Sequence, residues 1–484
     1  MTNIENLRRQ IDSLDEEIKS LLLKRLEIVS EIGKIKGENL IAVKDRRREE
    51  EIIKRLTENA GRQGETYIKH IYDSVFEASR NLEERKYGVV GGESLVSKSP
   101  FIHNAFGNPH YSAYPVKPED LKSFVQNSDL SGYNVTMPHK VSVMEYLDEV
   151  SPEAKAIGAV NTVVVKGNKK IGYNTDYMGF IEALRYHRIR VDGKKVCVLG
   201  SGGASKAVRY ALGQEKAKEI IVVSRAGEIT YADTAVYADA EVLINCTPVG
   251  YGQGNSDTPV DISRYANLEG VYDAIYIPDP TRLVFEARQA GINAHNGLYM
   301  LIAQAAHSHR LFGLPYPEGG VIEGLYRRLS KKSIVLMGMP GSGKTELGKL
   351  LAISRNLSYA DTDELIEAET GTPVPKIIKE YGEAYFREIE KSIIKKLSTN
   401  PPDVISLGGG AVKDKENRYL IKSMGRVFWI IRDIDSLATS GRPLSVDLEK
   451  LVKERYPIYE SLCDEKINNN CRISEAFEEI TKLL

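Results

Sequence analysis

Ser333-Ile334-Val335-Leu336-Met337-Gly338-Met339-Pro340-Gly341-Ser342-Gly343-Lys344-Thr345 is an apolar run that breaks into a glycine-rich turn ending in a lysine and a hydroxyl. A short apolar run rich in β-branched residues and bounded by glycine reads as a buried strand. The turn has the spacing G-x-x-x-x-G-K-T, and a helical stretch follows it. In that context the backbone N–H groups lie at a helix N-terminus and cradle phosphate. Lys344 then reaches the β and γ oxygens and Thr345 holds Mg²⁺. Gly338, Gly341, Ser342, Gly343, Lys344 and Thr345 are therefore candidate nucleotide-binding residues. A strand feeding a helix through such a loop belongs to a parallel sheet, so residues 331–484 are expected to form an α/β domain.

Downstream lie Asp361-Thr362-Asp363, then Gly382-Glu383-Ala384-Tyr385-Phe386-Arg387, then Gly408-Gly409-Gly410 after an expected strand Val404–Leu407. Gly441-Arg442-Pro443-Leu444 and Arg455-Tyr456-Pro457 complete the set. An aspartate accepts two hydrogen bonds from a diol, and a planar guanidinium is the best partner of a carboxylate. Together with the phosphate loop, these residues resemble shikimate kinase across 333–484. The resemblance implies ATP as cofactor and a Mg²⁺ ion held by Thr345 and Asp361. It also implies that Asp363 grips ring hydroxyls, that Arg387 and Arg455 clamp the substrate carboxylate, and that Gly409 lies against the ring. Between Arg432 and Arg442 the chain departs from the family, with a short segment and Ala438-Thr439-Ser440 where a further arginine is usual. Arg442 alone is left to supply charge to the transferred phosphoryl.

A second strand and glycine turn lies upstream, where Lys195–Leu199 leads into Gly200-Ser201-Gly202-Gly203-Ala204-Ser205. Ser205 replaces the third glycine of the dinucleotide fingerprint. The next expected strand, Ile220–Val223, ends in Ser224-Arg225. An acid there would bind the ribose hydroxyls of NAD, whereas an arginine suits the 2′-phosphate of NADP. The rest of 87–325 resembles shikimate dehydrogenase in chain order. The stretches that carry the likeness are Ser97-Lys98-Ser99-Pro100, Asn134-Val135-Thr136-Met137-Pro138-His139-Lys140, Gly158-Ala159-Val160-Asn161-Thr162 and Asn174-Thr175-Asp176. Asn245-Cys246-Thr247-Pro248-Val249-Gly250 and Gly297-Leu298-Tyr299-Met300 with Gln304 follow.

That resemblance implies NADPH as cofactor, held by Gly200, Gly202, Gly203, Ala204, Ser224, Arg225, Thr247, Tyr276 and Gly297. Ser97 and Ser99 would bind the substrate carboxylate, Thr136 would contact the substrate, and Asn161, Asp176 and Gln304 would hold its hydroxyls. Lys140 and Asp176 would be catalytic, Lys140 passing the proton that hydride reduction of a ketone requires. Val96 stands where histidine is common. Nineteen residues separate Arg225 from Asn245, too few for a full helix–strand–helix passage, so the adenine side of the cofactor pocket is expected to be pared down.

Residues 1–85 have helical periodicity. Isoleucine falls at 4, 11, 18 and 32, and Leu7, Leu14, Leu21, Ile28 and Ile35 repeat at the same seven-residue step. Such a seam predicts one long helix. A second helix is expected over Arg46–Glu58 and a third from about Glu65 to Arg85. Arg25 takes the single position of the isoleucine series that is not apolar, which makes it a register-setting residue or an anion ligand. Arg8, Lys36, Asp45, Arg48, Glu49, Ser79 and Glu83 have the spacing of the all-helical, AroQ-type chorismate mutase, which residues 4–85 resemble. The resemblance implies catalytic roles for Arg25, Lys36 and Glu83, substrate contacts from Arg8, Asp45, Arg48, Glu49 and Ser79, and an intertwined homodimer. A dimerisation coil without catalysis is the alternative, as is a kinase region that only binds.

The whole chain of 484 residues carries 66 basic and 67 acidic side chains, so a net charge of -1 gives no general attraction to nucleic acid or anionic membrane. Cys197, Cys246, Cys463 and Cys471 lack metal-ligand or CxxC spacing and fit reduced thiols. No stretch reads as a signal core or a membrane span, which points to the cytoplasm. The expected domains are an all-α segment (1–85), a dehydrogenase (86–330) and a P-loop kinase (331–484). The dehydrogenase would join an α/β substrate domain (about 86–185 plus a return helix) to a Rossmann domain (about 186–295).

Overall fold

The computed structural model describes residues 3–38, 46–84, 86–128, 130–166, 169–330, 333–437 and 448–484, with the backbone alone at 3, 30, 33–38, 46 and 80–84. The chain forms two compact units, Met1–Thr175 with Ala305–Gly319, and Asp176–Gln304 with Gly320–Leu484.

The first unit opens with α1 (Asn3–Glu38), α2 (Arg46–Thr57) and α3 (Gly61–Glu84). The heptad seam yields the long helix it predicts. The third helix starts four residues before the expected Glu65, because Gly64 sits within its first turn, where a glycine costs little. Val29, Phe76 and Ser79 are buried between α1 and α3, whereas Ile4, Leu7, Ile11, Leu14 and Ile18 are exposed.

A mixed sheet follows, built with β1 (Tyr87–Gly91), α4 (Ser99–Ala105), β2 (Tyr111–Pro115), α5 (Leu121–Asn127) and β3 (Gly132–Val135). It continues through β4 (Glu149–Val150), α6 (Pro152–Ile157), β5 (Thr162–Lys166) and β6 (Lys169–Tyr173). The strand order is β2-β1-β3-β5-β6-β4. β1 runs parallel to β2 and β3, and β5 turns antiparallel to β3. Val90, Val135, Val143, Val160 and Val163 fill one face.

The second unit begins with α7 (Asp176–Tyr186), β7 (Lys195–Leu199), α8 (Gly203–Gln214), β8 (Glu219–Val223) and α9 (Thr234–Tyr237). β9 (Val242–Asn245), β10 (Gly270–Asp273), α10 (Arg282–Gln289), β11 (Asn293–Asn296), α11 (Leu298–Leu311, counted with the first unit from Ala305) and α12 (Val321–Leu329) follow. The parallel sheet has the order β11-β10-β9-β7-β8. As expected from its length, the passage from Arg225 to Asn245 holds only the four-residue α9 before β9.

The last sheet starts with β12 (Ser333–Met337), α13 (Lys344–Arg355), β13 (Tyr359–Asp361), α14 (Thr362–Thr370) and α15 (Val374–Thr399). It ends with β14 (Val404–Ser406), α16 (Lys415–Met424), β15 (Gly425–Ile431), α17 (Leu448–Leu462), β16 (Glu465–Asn468) and α18 (Ile473–Leu483). The order is β13-β14-β12-β15-β16, all parallel. β14 stops one residue short of the expected Leu407, although the Leu407 N–H still bonds the Leu336 carbonyl at 3.0 Å. Helices cover both faces of such sheets, which is why β7 and β12 read as unbroken apolar runs.

Candidate active sites

Open parallel sheets hold ligands outside the carboxyl ends of their strands. Gly338 to Gly343 occupy that position after β12. The Lys344 Nζ curls back to donate to the Met339 carbonyl at 2.8 Å, inside the turn. Thr345 Oγ1 donates to Asp361 Oδ2 at 2.8 Å, so the two expected cation ligands meet. The other Asp361 oxygen caps α14 by accepting from the Asp363 N–H at 2.9 Å. Among the described residues no three His, Cys, Asp or Glu side chains cluster as a metal site. A hydroxyl and one carboxylate fit an ion that takes its remaining ligands from phosphate and water.

Asp363, Arg387, Gly409 and Arg455 gather at the turn after β14. A Cβ on Gly410 would overlap the Arg387 guanidinium, and one on Gly408 would come within 2.8 Å of Asp363 Oδ1 and 3.0 Å of Glu390 Oε1. A side chain at either position would displace these charged groups. The Gly409 carbonyl accepts from Arg455 Nη1 at 3.1 Å and from the Tyr459 hydroxyl at 2.5 Å. Burial, and then the neighbouring Asp361, pushes Asp363 up to about 6, against the pull of Lys344 and Arg387. Glu390 is 1% exposed, pairs through Oε2 with Arg387 Nη1 at 2.7 Å, and leaves Oε1 without a hydrogen-bond partner. Its burial outweighs Arg387 and pushes it up to about 7.

Glu390, Tyr459 and Asn469 were not among the residues read from sequence. The first two stand three and four residues beyond Arg387 and Arg455, on the same helix faces, which is the signal that could have found them. Asn469 Nδ2 holds the phosphate loop by donating to the Ser342 carbonyl at 2.8 Å, and no spacing rule points to it. Arg442 lies outside the described residues.

In the dinucleotide-type sheet, Gly200 adopts φ +98°, which favours glycine, and packs against Cys246 and Thr247. Gly202 caps α8, and Gly203 and Ala204 form its first turn. A Cβ on Gly202 would meet nothing within 4 Å, so the helix N-terminus has the open space that a pyrophosphate needs. Ser205, in place of the third glycine, is fully buried. Ser224 is buried at the end of β8 while Arg225 is exposed. Thr247 donates through its N–H and hydroxyl to Asn245 Oδ1 at 2.9 and 2.7 Å. Asn245 Nδ2 donates in turn to Asp273 at 3.0 Å. Burial pushes the Asp273 carboxyl up to about 7, although three hydrogen bonds resist it. Burial likewise raises Tyr276. Gly297 is pressed against the Ala274 backbone. Asp176 opens α7 and is buried, and the Gln304 amide donates to the Leu301 carbonyl at 2.7 Å.

In the first unit, Ser97 Oγ accepts from the Ser99 N–H at 3.1 Å at the start of α4. Thr136 leaves β3 with its N–H on the Val90 carbonyl, and Lys140, four residues on, accepts at its carbonyl from Val160. Those bonds draw the lysine segment and the Asn161 segment together. Asn161 is buried, donates to Thr175 Oγ1 at 3.0 Å and accepts from the Thr175 N–H at 2.7 Å. In the helical region Arg25 Nη1 donates to Ser79 Oγ at 2.6 Å and lies 5.9 Å from the Phe76 ring centroid. The one charge in the seam is thereby satisfied across α1 and α3. Arg48 and Glu49 start α2, and Arg8 is exposed on α1. Asp45 lies outside the described residues, as do the side chains of Lys36 and Glu83.

Three family descriptions match in chain order: chorismate mutase type II over residues 7–84, the shikimate dehydrogenase substrate-binding domain over 89–163, and shikimate kinase over 340–484. An NADP(+) shikimate dehydrogenase of Clostridium botulinum (strain 657 / Type Ba4) is 34% identical over 253 residues, covering 48% of this chain and 98% of the relative. One from Bacillus anthracis (strain CDC 684 / NRRL 3495) is 39% identical over 250 residues, covering 46% and 90%. A solved chorismate mutase/shikimate 5-dehydrogenase fusion protein from Clostridium acetobutylicum is 35% identical, covers 51% of this chain and 96% of that one, and has a TM-score of 0.47. Matched over nearly the full length of such relatives, the chain belongs to the shikimate dehydrogenase family.

Proposed function

We propose that the chain catalyses three reactions of the shikimate pathway. It reduces 3-dehydroshikimate with NADPH, phosphorylates shikimate with MgATP, and rearranges chorismate to prephenate. The observation that carries this reading is the run of three family matches in chain order, the middle one backed by relatives matched end to end.

NADPH, held by the glycine turn after β7, would supply the hydride that reduces the ketone. Lys140 would pass the proton to the reduced oxygen, Ser97 and Ser99 would bind the carboxylate, Thr136 would contact the substrate, and Asn161, Asp176 and Gln304 would hold the hydroxyls. Arg225 would pair with the 2′-phosphate of the cofactor. In the kinase, Thr345 and Asp361 would hold Mg²⁺, Lys344 would neutralise charge on the transferred phosphoryl, and Asp363 would orient the attacking hydroxyl. Arg387 and Arg455 pair with the ring carboxylate. In the mutase, Arg8, Arg25, Lys36 and Arg48 neutralise a dicarboxylate and hold its compact conformer.

The exposed isoleucines and leucines of α1 support a homodimer through this helix, with Arg8 reaching the partner's site. The test is to assay the purified chain separately with 3-dehydroshikimate, shikimate and chorismate, and to measure its mass in solution. Three products from a dimer are expected. A chain that oxidises NADPH but forms no prephenate would leave the helices as a dimerisation coil.

A further inference from the structure

The dinucleotide-type half and the kinase half of the second unit share one joint. Phe285 of α10 belongs to the same buried cluster as Val335, Ile405 and Trp429 of the kinase sheet. Beside it, Arg282 Nη1 pairs with Glu416 of α16 at 2.8 Å, and its guanidinium carbon lies 5.1 Å from the Tyr419 ring centroid. The Tyr419 hydroxyl donates to the Asn255 carbonyl at 2.6 Å, and Lys395 of α15 donates to the Gly254 carbonyl at 2.6 Å. Gly254 lets α15 approach this closely, since a Cβ there would come within 2.9 Å of Thr399.

Each side of the joint continues into a binding loop. On one side, Thr247 bonds Asn245, Asn245 bonds Asp273, and the Thr281 hydroxyl bonds the same carboxyl at 2.7 Å. Thr281 caps α10, the helix that carries Arg282 and Phe285. On the other side, α16 holds the turn that begins at Gly408. Asn417 Nδ2 donates to the Ala411 carbonyl at 3.1 Å and Arg418 Nε to the Val412 carbonyl at 2.7 Å. Polar groups this buried lose their partners at high cost, so movement in one loop is felt in the other.

We propose that NADPH in the dinucleotide site tightens binding of shikimate at the kinase site, through α10 and α16, and that the kinase ligands tighten NADPH in return. The proposal rests on the assignment of Thr247 to the cofactor and Gly409 to shikimate. NADPH fixes the loop that follows β9, which fixes α16 and therefore the Gly408–Gly410 turn. Coupling of this kind is reciprocal by thermodynamic necessity and commonly about fivefold or more.

The experiment uses the full chain. ADP release from MgATP and shikimate is read by chromatography with and without saturating NADPH, which cannot reduce shikimate further. The KM for shikimate is expected to fall about fivefold with kcat unchanged. The Kd of NADPH, read by its fluorescence, is expected to fall when MgADP and shikimate 3-phosphate are added. Glu416→Gln, which leaves Arg282 its 2.6 Å partner Glu286, and Tyr419→Phe should each keep both activities and shrink the factor. An unchanged KM while NADPH binds and the kinase turns over overturns the coupling and leaves the proposed reactions standing. An equal factor in both variants overturns the route. Absence of NADPH binding or of ADP release removes the functional assignment, and the coupling with it.

Discussion

Glu390→Gln should make the kinase more resistant to alkali. The carboxyl is buried and sits at about 7, raised from 4.5. At pH below 4.5 it is neutral in both folded and unfolded chains. Between 4.5 and about 7 the folded chain keeps a proton that the unfolded chain releases, so stability falls as pH rises. At 1.36 kcal/mol per pH unit, that rise corresponds to about 3 kcal/mol lost by pH 8. Glutamine has the same shape and no charge, and removes this loss, while giving up the 2.7 Å ion pair with Arg387 at high pH. The single tryptophan, Trp429, is 4% exposed in β15, so its fluorescence follows the kinase sheet alone. Urea unfolding of both proteins from pH 4.5 to 8, read at Trp429, should show the variant gaining on the wild type by about 3 kcal/mol across the interval. Asp363 titrates in part of the same range and is one of the charges that raise Glu390, so the difference profile includes the loss of that repulsion in the variant. Parallel profiles would refute the reasoning, because they would mean that Glu390 changes its proton affinity little on folding.

Arg225→Ala should lose most of the preference for NADPH over NADH, a contact on the order of 1.5–3 kcal/mol, measured as the ratio of kcat/KM for the two cofactors. Asp363→Ala should abolish ADP release with shikimate while nucleotide binding remains measurable by titration, since Asp363 lies outside the phosphate loop. An ionised Glu83 can only accept hydrogen bonds, so if it donates to the ether oxygen of chorismate it must be protonated. Mutase turnover should then fall as pH rises through its pKa, and Glu83→Gln should flatten that decline in a pH–rate profile.

What was legible in the sequence was what local pattern controls. The runs Lys195–Leu199 and Ser333–Met337 became strands with those bounds because β-branched runs ending in glycine have few alternatives. Thr345 and Asp361, which the resemblance assigns to one ion, are hydrogen-bonded to each other, whereas the bond from Arg25 to Ser79 was not anticipated. What depends on packing between distant segments was not legible. Phe285 has nothing in its neighbourhood to announce that it completes the kinase core. Glu390 reads as one more surface acid on a charged helix, and only the fold buries it.

The central claim is that one chain performs consecutive steps. The direct measurement is to supply the purified protein with 3-dehydroshikimate, NADPH and MgATP and to count products by mass spectrometry. One NADP⁺, one ADP and one shikimate 3-phosphate should form for each 3-dehydroshikimate consumed. NADPH oxidation that stops at shikimate, with ATP untouched, would contradict the account.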